Sequence, residues 1–255
     1  MRCMNTHLTI ITGASRGMGL ALAQQLAASG HSLLCISRQS NTALHAHAQA
    51  HGAALTQWEA DLGDAASTAQ RLGAWLQGKG ADFASATLVN NAGMIPAIAP
   101  VSDVPAHDIS TAMRVGAEAP MLLTSAFLQA TADWAVPKKV LNISSGLGRR
   151  AMASQAGYCA AKAAMDHFTR CVALEEALKP HGAKVCSLAP GVIDTDMQIQ
   201  LRAAADAAFP DKAAFVGMKT SGALTSPHDA AARLIAYLAL PHFGRDAVAD
   251  VREMG

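Results

Sequence analysis

The stretch LTIITGASRGMGLALAQQL, residues 8–26, constrains the fold of this chain more than any other. A short apolar run, LTII, gives way without a linker to Gly13, Gly17 and Gly19 and then to a helix-forming segment. An apolar run of that length, cut off by a glycine turn, reads as a buried strand of a parallel sheet. Parallel strands need a crossover connection, usually a helix, so the pattern predicts repeated strand–helix units.

The rest of the chain follows suit. Strands are expected in HSLLCIS (31–37), AALTQWEADL, ATLVNNAG, KKVLNIS and GAKVCSLAPG, with a last short one in RDAVADV. Helices are expected in MGLALAQQLAASG, ALHAHAQAH and DAASTAQRLGAWLQG, the last with Asp64 as N-cap. A longer helical stretch runs over roughly 106–132 with Pro120 inside it, and another passes through Tyr158 and Lys162 to about Lys179. SPHDAAARLIAYLAL places Ser226 at the N-cap and Pro227 at the first helical position. The segment 194–222, rich in Ala and Met, is expected to be irregular. Alternation without linker or internal repeat predicts one α/β domain over 1–255, a Rossmann-type doubly wound parallel sheet with helices on both faces.

Composition excludes several function classes. The 255 residues are 51% hydrophobic and 15% charged, with a formal net charge of +1 and no basic block longer than Arg149-Arg150. Nucleic-acid and membrane-surface binding call for a clustered basic excess, and neither is expected. The five cysteines (Cys3, Cys35, Cys159, Cys171 and Cys186) are odd in number and widely spaced, which predicts free thiols in a reducing, cytoplasmic setting. The short apolar N-terminal run enters the glycine turn directly, so no signal peptide is expected. His45, His47 and His51 have no further ligands at a fitting spacing and read as a solvated helix face rather than a metal site.

A glycine turn between a first strand and its helix brings backbone N–H groups and a helix N-terminus up to a pyrophosphate, so nucleotide binding is expected. A carboxylate at the end of the second strand would select NAD through the ribose hydroxyls. Here that strand ends in Ser37 and Arg38, and Arg16 in the glycine loop adds a second cation. Two guanidinium groups suit a 2′-phosphate, which favours NADP(H).

Five motifs then stand in one order: TGASRGMG (12–19), NNAG (90–93), Ser145, Tyr158-x-x-x-Lys162 and PGVIDTDM (190–197). In order and spacing they resemble the short-chain dehydrogenases/reductases over nearly the whole chain. YCAAKAAMDHF, ALEEALK and APGVIDTDMQ are similar to the sepiapterin and benzil reductase branch. The resemblance implies that Gly13, Ser15, Arg16, Gly17 and Met18 line the cofactor's phosphates and that Arg38 reaches the 2′-phosphate. It further implies Asp61 and Leu62 at the adenine, Asn91, Ala92 and Gly93 on the ribose side, and Ile193 and Thr195 at the nicotinamide carboxamide. Ser145, Tyr158 and Lys162 become the catalytic trio, with the cofactor also against Tyr158 and Lys162.

The chemistry fits those residue types. Hydride transfer to a ketone builds negative charge on its oxygen, which must then take a proton. A tyrosine with a pKa near ~10 holds its proton at neutral pH, and a lysine one turn away is expected to lower that value. A serine hydroxyl can hold and polarise the carbonyl.

Further expectations concern the substrate side. The segment 194–222 should form a lid, with Met197, Leu201, Phe209, Phe215 and Met218 giving it an apolar lining. Bulky α-dicarbonyls are then favoured over small hydrophilic ketones. Asp250 could anchor a pterin or pair with Arg245 or Arg252. Where the family usually has an asparagine supporting a water relay to the lysine, this chain has Gly116, and a water is expected to fill the space, so that Gly116→Asn would be tolerated. Two long helices of the family pack in dimers and tetramers, so a homodimer or homotetramer is expected. The competing readings are a general reductase of acyl or sugar-like ketones and a non-catalytic NADP(H) sensor.

Overall fold

The computed structural model describes residues 6–79 and 82–253; Cys3 lies outside them. Seven strands form one sheet in the order β3-β2-β1-β4-β5-β6-β7, every neighbouring pair parallel. They are β1 (His7–Thr12), β2 (His31–Ser37), β3 (Ala54–Glu59), β4 (Ser85–Asn90), β5 (Lys138–Ile143), β6 (Lys184–Ala189) and β7 (Val248–Asp250). Strand order reverses direction between β1 and β4, which opens a crevice beyond their carboxyl ends where ligands of such sheets bind.

Helices cover both faces, because central strands such as β1 and β5 are buried almost throughout and cannot face water. On one face α1 (Gly17–Leu26), α2 (Thr42–Ala50) and α9 (Pro227–Ala239) press Leu22, Leu44 and Leu234 onto Ile11, Val89 and Leu141. On the other, α3 (Ala65–Leu76), α5 (Ala119–Ala130) and α6 (Ala156–Ala177) press Leu72, Phe127 and Val172 onto Ile10, Leu88 and Val140. The alternation of the side chains along each strand feeds the two cores in turn.

The stretch 106–132 is two helices, α4 (Ala106–Met113) and α5, joined by one π-helical turn, Arg114–Glu118. The Ala119 N–H bonds the Arg114 carbonyl, five residues back. Pro120 follows at once and has no N–H to donate, so a turn with an extra residue accommodates it without ending the helix.

Two local expectations need correction. Asp64 precedes α3 but its carboxylate accepts no capping bond; Asp61 instead accepts the Gly63 N–H at 2.9 Å and starts a short 3₁₀ turn that leads into the helix. The segment 194–222 is not irregular: it holds α7 (Asp196–Ala203) and α8 (Lys212–Thr220). Ser226 caps α9 as expected, accepting the Asp229 N–H at 3.0 Å.

Candidate active site

The glycine loop owes its shape to close backbone approach. Gly13 and Gly17 have φ of +68° and +56°, and a Cβ on Gly19 would stand 2.2 Å from the Gly13 carbonyl oxygen. Only glycine allows these conformations without strain. Asn91 locks the loop from β4, its Nδ2 donating to the Thr12 carbonyl at 2.9 Å and the Gly13 carbonyl at 3.2 Å. Thr12 Oγ1 in turn accepts the Asn91 and Ala92 N–H groups. The side chain expected to touch ribose is thus spent on holding the loop.

Several expected cofactor residues differ in what they can offer. Ser15 carries the loop to α2, its carbonyl accepting Asn41 Nδ2 at 2.9 Å. The Met18 side chain is buried in the core under α1, which leaves its backbone at the helix start for an anion. Leu62 is buried in the opposite core rather than open to an adenine, whereas Asp61 is exposed. Arg38 is exposed at the end of β2 and pairs with no carboxylate among the described residues. Beside it the Ser37 hydroxyl is buried without a hydrogen-bond partner among the described residues, a donor that sequence reading passed over. Arg16 bridges the cleft mouth to Asp196 at 2.9 Å, with both side chains mostly exposed.

Across the crevice the catalytic set assembles on α6 and the turn after β5. Tyr158 and Lys162 share one helix face. The buried Lys162 ammonium donates to the Ile143 carbonyl at 2.7 Å and stands 5.7 Å from the centre of the Tyr158 ring. Burial pulls its pKa down to about 8, partly offset by Asp166. Burial pushes the Tyr158 phenol up to about 12, against a lowering contact with the Ser145 hydroxyl. Burial is thus the larger influence on the phenol, and Ser145, not Lys162, is the group that opposes the rise. Ser145 Oγ accepts the Leu147 N–H at 3.1 Å, which fixes the hydroxyl beside the Tyr158 phenol. Gly93 abuts Lys162 and Thr195 abuts Gly17, so the loops after β1, β4, β5 and β6 meet in one place. Ile193 anchors the last of these by bridging Thr225.

The substrate side is apolar. Ile95, Leu201, Phe209 and Phe215 form a small core to which Tyr158, Met152, Met197 and Met218 add half-buried surface. Phe209 and Phe215 meet as a tilted pair, 5.4 Å between ring centres, inside the lid, so they build it rather than line it; the methionines and Ile95 are what a ligand would meet. An open groove of about 440 Å³ runs between residues 95–98 and Gln200, Ala203 and Ala204. The lid is tied to the catalytic turn by Ser154, whose hydroxyl donates to the Ala208 carbonyl at 2.6 Å.

Asp250 and Gly116 depart from expectation. Arg252 grips both Asp250 oxygens, Nε to Oδ1 at 2.8 Å and Nη2 to Oδ2 at 2.6 Å, and Arg149 Nη2 lies 3.6 Å from Oδ2. The ion pair, not an open pterin anchor, is what the fold builds. At Gly116 the direction a side chain would take is filled: an added Cβ would lie 2.9 Å from the Ala161 Cβ of α6. The expected space for a water along that direction is a helix–helix contact.

The sequence profile of the short chain dehydrogenase family matches residues 7–206. The chain belongs to that family. A Bacillus cereus benzil reductase, named as forming (S)-benzoin, is 34% identical over 245 residues, covering 96% of this chain and 98% of its own. Sepiapterin reductase from Bos taurus is 32% identical over 202 residues, 75% of this chain and 74% of its own. A solved structure from Agrobacterium tumefaciens, provisionally assigned as a 2-deoxy-d-gluconate 3-dehydrogenase and holding NADP, superposes with a TM-score of 0.79 at 25% identity, covering 98% and 97%. This short-chain dehydrogenase is an oxidoreductase, and its benzil and sepiapterin reductase relatives support reduction of a ketone.

Proposed function

We propose that this enzyme is an NADPH-dependent reductase of bulky apolar ketones, with α-dicarbonyls of the benzil type as substrates. The observation that carries the reading is the Tyr158 phenol set among Ile95, Met152 and Met197, where burial raises its pKa. Bound NADPH would supply the hydride. Gly13, Ser15, Gly17 and the backbone of Met18 would cradle its pyrophosphate, and Ser37, Arg38 and Arg16 would meet the 2′-phosphate. Asn91, Ala92 and Gly93 would wall the ribose, and Ile193 and Thr195 would hold the carboxamide. The orphaned Ser37 hydroxyl and the glycine cradle support this fit.

The chain's own groups then do three things. Ser145 would turn its hydroxyl from the Tyr158 phenol to the substrate carbonyl, a bond that gains strength as charge develops there. Tyr158 gives its proton to the nascent alkoxide. Lys162, charged, holds the polar end of the site and is the nearest route by which that proton is restored. With Asp250 committed to arginines, pterin reduction is the weaker reading. We also infer a homo-oligomer, because Leu174, on the outer face of α6, and Leu178, just past its end, are 73% and 87% exposed. The free thiols support a cytoplasmic setting.

A panel of benzil, a pterin, a β-ketoester and a sugar ketone, followed by NADPH consumption, tests the proposal. Benzil should turn over fastest and yield (S)-benzoin; faster turnover of the sugar ketone would overturn the substrate reading.

A further inference from the structure

Asp166 is a buried carboxylate that the mechanism above does not use. It is 1% exposed and lies one turn beyond Lys162, so Tyr158, Lys162 and Asp166 form a single stripe at four-residue spacing along α6. Ser187 of β6 donates its hydroxyl to Oδ1 at 2.6 Å. Oδ2 has no hydrogen-bond partner among the described residues. The nearest guanidinium, Arg149, stands with Nε 4.0 Å away, and it also faces Asp250. A half-satisfied buried carboxylate is costly, and a hydrophobe or an amide could fill the same space with less penalty.

The turn that carries Ser145 is built around this group. A Cβ on Gly148 would stand 2.7 Å from Asp166 Oδ2 and 3.0 Å from the Lys162 carbonyl oxygen, so the turn lies directly on the carboxylate. Asp166 therefore sits beneath Ser145's turn and behind Lys162, with its free oxygen retained inside the protein. We propose that Asp166 is a positioning residue whose buried negative charge keeps the Lys162 ammonium charged inside an otherwise apolar site, with Arg149 modulating that charge from the surface. The inference rests on Lys162 belonging to the active site as described above.

The groups facing the pair are few. Lys162 meets the Tyr158 ring and the Ile143 carbonyl; Asp166 meets the Ser187 hydroxyl, the Arg149 guanidinium and, within its field, the Cys186 thiol of β6. Asp250 and Arg252 lie beyond Arg149. Burial depresses the Lys162 pKa, and Asp166 is the group that opposes this depression. Neutralising Asp166 should lower the Lys162 midpoint, whereas removing Arg149 should raise it, because the carboxylate is then unshielded.

The test is a direct titration of the Lys162 side chain by NMR of lysine labelled at Cε, in wild type, Asp166→Asn and Arg149→Met, with the pH profile of NADPH-dependent reduction recorded alongside. The midpoint should fall by about one pH unit in Asp166→Asn, within the range a neighbouring charge produces, and rise in Arg149→Met. The alkaline limb of kcat/KM should move with it. If Asp166→Asn does not fold, the Arg149→Met titration decides by itself. Unmoved midpoints, or a uniform loss of activity without a change in pH profile, would overturn the proposal. The titration reads out even if no ketone is turned over, so a failure of the substrate reading is separable from a failure of this one.

Discussion

Lys162 carries its charge where a charge is expensive. The fall of its pKa from 10.5 to about 8 corresponds to roughly 3 kcal/mol of penalty on holding the proton in the folded state. The sign has consequences for both activity and stability. Below pH 8 the ammonium is intact, so reduction should be pH-independent there and decline as pH rises through about 8, with Tyr158 protonated throughout. Between about 8 and 9 the unfolded chain holds a proton that folded Lys162 has released, so stability should rise as activity falls. Above 9 the buried thiols of Cys35 and Cys186, pushed up to about 12 and about 11, reverse that slope. Parallel kcat/KM profiles and thermal melts across this range check the crossing. Gly116 gives a second prediction at this scale. Gly116→Asn should destabilise by about 1–3 kcal/mol as the new Cβ forces α6 outward. Adding Ala161→Gly should restore most of the lost Tm; an unaltered melting temperature in the single variant would contradict the contact.

At the scale of elements, the glycine turn between β1 and α1 is where sequence and structure agree most closely. Its motifs act through backbone, and glycine spacing between a strand and a helix encodes backbone shape directly. Arg38 at the end of β2 has no carboxylate partner among the described residues, while Arg16 is held by Asp196 in an exposed pair, weak enough to yield to a phosphate. Arg16→Ala with Arg38→Asp should therefore reverse the preference from NADPH to NADH, losing about tenfold or more in NADPH affinity per contact by fluorescence titration. A double variant that still prefers NADPH would show that the end of β2 does not select the cofactor. What the sequence left illegible depended on side-chain partners. Asp250 could face a ligand or an arginine with equal chemical sense, and only the path of the chain past β7 brings Arg252 onto it. Gly116 likewise suggested an opening, because the approach of Ala161 from forty-odd residues away leaves no local trace. In the lid, nothing local showed that α7 and α8 would find a partner: they pack Leu201 and Phe215 on Ile95, a hundred or more residues away in the chain.

For the whole molecule, the strand–helix alternation was enough to give the doubly wound sheet, since parallel strands buried on both faces admit few other arrangements. Assembly is a property that the single chain suggests only through its surface. Ala161 of α6, a helix expected to pack between subunits, is buried against Gly116 of its own subunit. The outer face of α6 with Leu174, and Leu178 just past its end, remain, and Leu174→Glu with Leu178→Glu should yield monomers by light scattering at micromolar concentration. A monomeric wild type would contradict the oligomer. The central claim is that one chain joins an NADPH cradle to a protonated tyrosine in an apolar site. Its most direct test is NADPH oxidation with benzil by wild type and Tyr158→Phe, with NADPH affinity measured on both. Turnover should fall about a hundredfold or more in the variant while NADPH binding stays within a few-fold; a variant that still reduces benzil at the wild-type rate would contradict the account.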